Sequence, residues 1–271
     1  MPFNDAHIQL GAAIPPVEQV STRKGRTFLA DIQTENERTR AYLKLLNIGD
    51  IAREALCATL ARLLGLPIAQ AYYVSVDPSY VGDQLIGNGQ NIAFGLKQDP
   101  YYPTFPVRSG DLDRLVHEWT QSDALACAVF DEWIFNSDRL PNNLIFDSTK
   151  VYWLIDHDET LPNNVSPDTP ANSSLLRLLS SSKSEFELWK LRDKAMKWVR
   201  QYESTPWKRV LELLRPNDLL GSETHYLRYI EFLKNRVPAM HDIITTSIGI
   251  QQRHLDLENR RSPIDRFKEE T

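Results

Sequence analysis

Three oxygen-bearing side chains in the middle of the chain have the types and spacing of a metal-dependent active site. Asp138 and Asn143 lie five residues apart in the polar stretch "NSDRLPNN", and Asp156 follows thirteen residues after Asn143 in "VYWLIDHD". Carboxylate and amide oxygens are the hard ligands that Mg²⁺ prefers, and Mg²⁺ usually keeps other positions for water and phosphate oxygens. One aspartate can therefore serve as a base while the other aspartate and the asparagine hold a metal ion.

The elements around these residues predict that the three side chains converge. A helical pattern, "VFDEWIF", leads into the polar loop, and two apolar runs, "NLIF" and "VYWLID", follow it with "DSTK" between them. A small hairpin would bring the loop before its first strand close to the residues after its second strand. Kinases place a catalytic aspartate, a metal-binding asparagine and a metal-binding aspartate at this spacing. The alternative is a plain surface turn, because Asp and Asn readily hydrogen-bond their own backbone.

A lysine and a glutamate upstream form a candidate pair. Lys44 lies in "AYLKLL", which predicts a strand, and Glu54 lies in the helical pattern "GDIAREALCATLARLLGLP" on the apolar stripe of Ile51 and Ala58. A carboxylate that faces the interior needs a partner, and Lys44 is the candidate. The alternative for Lys44 is a solvated lysine at a strand edge.

The first part of the chain is predicted to be rich in strands. Short extended pieces between residues 17 and 46 indicate three antiparallel strands. The long helix that follows has Asp50 as its predicted N-cap and Gly65 as its stop, and "AQAYYVSV" indicates a further strand. Residues 77–110 are rich in Gly, Pro, Asn and Tyr and are interpreted as an irregular connection.

The second part is predicted to be helical. Helical patterns occur within 111–135 and near 184–203, 206–214 and 223–247. We expect an α+β protein with a β-rich N-lobe at about 10–105, which contains one main helix, and a mostly helical C-lobe at about 106–249. A polar tail over 250–271 completes a single domain over 1–271.

Composition excludes several classes of function. A net charge of −5 and a pI near 5.7 argue against direct nucleic-acid binding over a broad surface. No apolar run approaches the roughly 18 residues of a membrane span, and the first residues lack a signal-peptide pattern. We therefore expect a cytoplasmic protein with no membrane contact. Cys57 and Cys127 lie in apolar helical patterns and are expected to be buried free thiols.

Taken together, these segments resemble the HipA-like protein kinases, which share a D-R-x-x-x-N arrangement with phosphatidylinositol kinases. "VFDEWIFNSDRLPNNLIF" and "VYWLIDHDETL" are similar to the catalytic loop and the metal-binding segment of that family. "TRAYLKLLNIGDIAREALCATLARLLGLP" is similar to the strand with the nucleotide lysine and the helix with its glutamate. The resemblance covers roughly residues 25–245 and implies a compact kinase core with a two-lobed protein-kinase-like fold.

The resemblance also implies a role for each candidate residue. Lys44 would hold the phosphates of ATP and Glu54 would pair with Lys44, while Asp138 would be the catalytic base and Asn143 with Asp156 would bind Mg²⁺. The implied activity is transfer of the γ-phosphoryl group of ATP to a Ser or Thr hydroxyl of a protein. A toxin–antitoxin role, with a cognate antitoxin or regulator as partner, is a property of relatives that no residue here specifies.

Two departures from the family pattern keep rival functions open. Leu140 stands where related loops often carry histidine, and the candidate phosphate-covering loop "STRKGRT" has a single glycine, Gly25. The poor glycine loop favours a nucleotide-binding pseudokinase that acts as an interaction module. The phosphatidylinositol-kinase side of the resemblance favours a phosphotransferase for a lipid or small molecule, which the acidic charge weakens. Arg139 is expected to anchor an acidic group or a backbone carbonyl.

Overall fold

The computed structural model describes residues 6–20, 27–82, 91–98, 105–106, 121–137, 139, 143–146, 152–181, 183–214 and 223–250. Helices and strands are both present, as predicted. The strands are Gln9–Val20 (β1), Thr27–Thr34 (β2), Arg38–Lys44 (β3), Ala71–Ser75 (β4), Ile92–Lys97 (β5), Phe105–Pro106 (β6), Leu144–Phe146 (β7) and Tyr152–Leu154 (β8). The α-helices are Ile48–Leu63 (α1), Gln121–Trp133 (α2), Ser174–Ser180 (α3), Glu185–Glu203 (α4), Trp207–Leu214 (α5), Thr224–Arg236 (α6) and Met240–Ile248 (α7).

The first five strands close into a barrel in the order β1-β2-β3-β5-β4. All neighbours are antiparallel except β1 and β4, which pair in parallel over Gln9–Ala12 and Tyr72–Ser75. The barrel interior is filled by an apolar cluster that includes Phe28, Ile32 and Leu43. Alternate residues of β2 and β3 supply these side chains, because successive side chains of a strand point to opposite faces.

Strand β5 corrects the interpretation of residues 77–110 as an irregular connection. It pairs with both β3 and β4, and its sequence "IAFGLK" carries a glycine that weakens the strand signal. The packing favours glycine there, since a Cβ at Gly95 would lie 3.1 Å from a side-chain atom of Val74 and 3.2 Å from one of Leu43, closer than ordinary van der Waals contact. The strands predicted between 17 and 46 and at "AQAYYVSV" are confirmed as β1 to β4.

Helix α1 is the main helix of the strand-rich part and is buried on nearly all sides. Ten of its sixteen residues, among them Ile51, Glu54 and Ala58, are buried, and it contacts β4, β5, α5 and α6. Its N-cap is Asn47, whose side chain accepts a hydrogen bond from the backbone N–H of Asp50 (2.9 Å), so the prediction of Asp50 as N-cap is wrong by one turn. Gly65 follows its end with a φ of +72°, as the stop signal predicted.

The predicted hairpin is confirmed as β7 and β8, which pair antiparallel with Ile145 opposite Trp153; β6 adds a third strand. The helices predicted near 184–203 and 206–214 are α4 and α5. The pattern over 223–247 forms two helices, because Pro238 lies in a 3₁₀ turn, Val237–Ala239, that separates α6 from α7. Helix α3 was not predicted from the sequence. The pattern over 111–120 and the tail over 251–271 lie outside the described residues.

The barrel side and the helical side share one apolar core. A single cluster joins Tyr73 and Phe94 of the barrel to residues of α1, α2, α6 and α7. The hydroxyl of Tyr73 lies 2.7 Å from the hydroxyl of Tyr226 on α6. Cys57 and Cys127 are buried and free, as predicted. No helix among the described residues is long and apolar enough to cross a membrane.

Candidate active site

Lys44 links two carboxylates that come from distant parts of the chain. It is the last residue of β3, while Glu54 lies on α1 and Asp156 follows β8 by two residues. The Nζ of Lys44 lies 2.6 Å from Oδ1 of Asp156 and forms an ion pair with Oε1 of Glu54. The Glu54 side chain is 1% exposed and that of Asp156 is 29% exposed. The structure therefore brings together three of the five residues that the sequence singled out.

Burial and mutual attraction fix the charges of this group. Burial alone would lower the pKa of Lys44, but the charges of Glu54 and Asp156 raise it above its ordinary value. Burial would raise the pKa of Glu54, but the attraction of Lys44 and the hydrogen-bonding proximity of His157 lower it to about 2. The ion pair of Lys44 and Glu54 is therefore charged on both sides at neutral pH.

The position of Asp156 is fixed by an uncommon backbone conformation. Its φ is +66°, in the left-handed region that costs non-glycine residues on the order of 1 kcal/mol or more. Aspartate tolerates this region better than most residues do. In this conformation the carboxylate of Asp156 contacts Lys44.

A third carboxylate lies beside Glu54 and Asp156. Oxygen atoms of Glu54, Asp156 and Asp158 all lie within 4.8 Å of one another, and Asp158 is buried. Carboxylate oxygens at this spacing match the donor chemistry of a divalent hard cation. Asp158 follows Asp156 by two residues, and its burial shows that it is not a solvated loop carboxylate.

Asn143 is brought next to Asp156 by the pairing of β7 with β8. Its backbone carbonyl accepts a hydrogen bond from the N–H of Ile155 (3.3 Å), the residue that precedes Asp156. The Asn143 side chain is buried. Asp138 and Leu140 of the same loop lie outside the described residues, as does Gly25 of the candidate phosphate-covering loop.

Comparison with known proteins gives one family. The chain matches the family model described as HipA-like kinase over residues 42–210, well over half of its 271 residues. The chain belongs to the HipA-like kinase family. A search of curated proteins finds no match. The matched range contains all five candidate residues, and membership of a kinase family supports a phosphotransferase that uses ATP and a metal ion in general terms.

In this HipA-like kinase the backbone around Asn143 and Ile155 is held by the buried guanidinium of Arg139. Its Nε and Nη2 lie 3.0–3.2 Å from the carboxylate of Asp131 on α2. Its Nη1 donates to the carbonyls of Asn143 (2.8 Å) and Ile155 (2.9 Å). Asn136 donates to the same aspartate (3.0 Å). The expectation that Arg139 anchors an acidic group or a backbone carbonyl is confirmed, and it does both.

The segment between Asp156 and α3 is attached to the helices by two further buried charges. Glu132 on α2 accepts hydrogen bonds from the N–H groups of Ala171 (2.9 Å) and Ser173 (2.7 Å). Arg236 on α6 donates to the carbonyls of Pro167 and Thr169, both at 2.7 Å. Burial raises the pKa of Glu132 and lowers that of Arg236 to about 10. Sequence reasoning assigned no role to either residue, because the backbone groups that they contact are distant from them in the chain.

Proposed function

We propose that this protein is an ATP- and Mg²⁺-dependent kinase that transfers the γ-phosphoryl group to a Ser or Thr hydroxyl of a protein. The observation that carries the proposal is the bridge from Lys44 to Glu54 and Asp156. A lysine held by one helical carboxylate beside a second, more exposed carboxylate is suited to bind phosphate next to a metal ion. The family match supports the kinase part of the proposal.

Each residue of the site has a proposed task. Lys44 donates to phosphate oxygens of ATP, and Glu54 holds the ammonium of Lys44 in position. Asn143 and Asp156 hold Mg²⁺, with Asp158 close enough to add negative charge. Asp138 orients the acceptor hydroxyl and takes its proton. The metal ion, when bound, neutralises charge on the phosphates, so positioning and electrostatic stabilisation account for catalysis.

We also propose a two-lobed arrangement within one domain over 1–271. The barrel and α1 form the N-lobe over about 10–105, and the remaining elements form the C-lobe over about 106–249. The shared apolar core supports one cooperative unit. The acceptor is proposed to be a protein, with a cognate antitoxin or regulator as a second partner. The net charge of −5 supports a cytoplasmic protein that binds neither nucleic acid nor membrane.

Two variants separate binding from chemistry. Asp156→Asn should weaken Mg²⁺-dependent ATP binding and abolish transfer, because a metal ligand acts in the ground state and in the reaction. Asp138→Asn should leave ATP affinity within about twofold and lower the transfer rate by roughly 10² to 10⁴, the range of a positioned base. Calorimetric titration with ATP, with and without Mg²⁺, measures the first effect. Transfer of label from [γ-³²P]ATP to the protein itself and to a generic protein acceptor measures the second.

The outcomes distinguish the rival functions. ATP binding by the parent protein without transfer to any protein acceptor would favour the pseudokinase. Transfer to a lipid or small alcohol in preference to protein would show that the substrate is not a protein. Equal transfer by Asp138→Asn and the parent would show that the "NSDRLPNN" loop is a surface turn without a catalytic base.

A further inference from the structure

A chain of buried polar side chains connects the catalytic-loop region to the Lys44–Glu54 ion pair. Asp131, Arg139, His157 and Glu54 are each at most 2% exposed, and they contact one another in that order. Buried polar groups are costly unless they are paired, so the order of donors and acceptors along this chain is constrained.

The guanidinium of Arg139 determines the tautomer of His157. Burial would lower the pKa of Arg139, but Asp131 raises it, so the group stays charged. A guanidinium donates hydrogen bonds and accepts none. The Nη2 of Arg139 lies 3.0 Å from Nε2 of His157. Nε2 must therefore be the acceptor, and the hydrogen of the neutral ring resides on Nδ1.

The Nδ1–H of His157 faces the free oxygen of Glu54. Nδ1 lies 3.6 Å from Oε2 of Glu54, slightly beyond normal hydrogen-bond length. Each of these two atoms is fully buried and has no hydrogen bond to any other atom of the described residues. The other carboxylate oxygen of Glu54 is taken by Lys44. The two buried atoms are thus complementary, a donor beside an acceptor, and a shift of about half an ångström would close the bond.

We propose that His157 is a positioning residue that holds the carboxylate of Glu54, and through it Lys44, in the geometry that binds phosphate; the catalytic part of this proposal rests on the function proposed above. With Oε2 held by His157, the carboxylate cannot rotate about its last torsion, so Oε1 stays directed at Lys44. Arg139 also donates to the carbonyls of Asn143 and Ile155, so it fixes the backbone beside the proposed metal ligands. Through His157, the same guanidinium also fixes the position of Glu54 on α1 and therefore of Lys44.

The alternative is that His157 contributes only to packing. Its ring packs edge-on against Phe130, with 6.5 Å between ring centroids, as an apolar side chain would. This alternative predicts that replacements act on stability alone. The proposal predicts that the donor at the Nδ1 position matters separately from the volume of the ring.

Two amide replacements test the two ring nitrogens of His157 separately. The side-chain amide of Asn reaches the place of Nδ1, while that of the longer Gln reaches the place of Nε2, so His157→Asn keeps a donor toward Glu54 and His157→Gln does not. We expect the KM for ATP to rise roughly tenfold or more in His157→Gln and His157→Leu, the scale of a hydrogen bond to a buried charge. His157→Asn should stay within about threefold of the parent. The same replacements at His241, an exposed residue of α7, serve as matched controls and should change neither KM nor kcat.

A second measurement needs no activity. In ¹⁵N-histidine-labelled parent protein, the His157 signals, assigned by their loss in His157→Asn, should show a protonated Nδ1 and an unprotonated Nε2. A protonated Nε2 would overturn the proposal even if the protein proved to be no kinase. Equal KM values for His157→Asn and His157→Gln in folded protein would overturn the catalytic part. If the parent neither binds ATP nor transfers phosphate, the proposed function fails, and the NMR result then decides the arrangement of the network alone.

Discussion

The ion pair between Lys44 and Glu54 should make the free energy of unfolding fall at acid pH. The substitution Glu54→Gln should remove this contribution to the pH dependence. The pKa of Glu54 is lowered from its ordinary value of 4.5 to about 2 in the folded protein. A carboxyl group whose pKa is lower in the folded state stabilises the fold above its unfolded pKa and loses that contribution as the pH falls toward the folded pKa. The sensitive window is therefore pH 4.5 to 2.

The size of this effect follows from the two pKa values. A shift of about 2.5 units corresponds to roughly 3 kcal/mol when the group is fully ionised, at about 1.4 kcal/mol per unit. Down to pH 3, roughly 2 kcal/mol of this contribution should be lost. In Glu54→Gln the titrating group is absent, so the free energies of unfolding of parent and variant should converge by roughly 2 kcal/mol between pH 6 and pH 3.

Urea unfolding of both proteins at several pH values between 6 and 3 gives this difference directly. Carboxyl groups that are distant from Glu54 are common to both proteins and cancel in the comparison. A gap between parent and Glu54→Gln that does not change with pH would refute the assignment of a strongly stabilised Glu54 carboxylate.

Two further predictions concern the neighbouring segments. Arg139→Met should lower the free energy of unfolding by roughly 3–5 kcal/mol in urea titration, because it leaves the carboxylate of Asp131 buried without its cation; a loss below about 1 kcal/mol would contradict the network. Any autophosphorylation within residues 160–181 should fall on exposed hydroxyls such as Ser166 and Thr169 and spare Thr160, which is buried and donates to the carbonyl of His157. Phosphopeptide mapping that places the phosphate on Thr160 would contradict this.

Local patterns predicted two of the contacts at the site. The apolar flanks of Lys44 and the inward stripe that carries Glu54 predicted their pairing, because a buried charge needs a partner. The short hairpin predicted that Asn143 and Asp156 would lie together, since antiparallel pairing fixes which residues face each other. Both predictions depend on periodicity over a few residues, which a sequence displays directly.

Features that depend on distant pairing were missed. Closure of the barrel requires residues 9–12 to pair with residues 72–75, and no local pattern encodes that register. The roles of Glu132 and Arg236 arise because α2 and α6 meet the same loop. His157 and Asp158 follow Asp156 directly, so their place near the site was visible in the sequence. The direction of the His157 donor was not, because it depends on the guanidinium of Arg139.

The burial of α1 fixes the position of Glu54. The ion pair of Lys44 and Glu54 is formed, and α1 is held on several sides. The hydroxyl of Tyr229 on α6 donates to the carbonyl of Gly49, and the guanidinium of Arg53 lies 5.3 Å from the centroid of the Tyr229 ring. Moving α1 outward would break these contacts and expose apolar surface of the shared core, at a cost of roughly 25 cal/mol for each Å². Helix α1 is therefore a fixed part of the structure that holds Glu54 against Lys44.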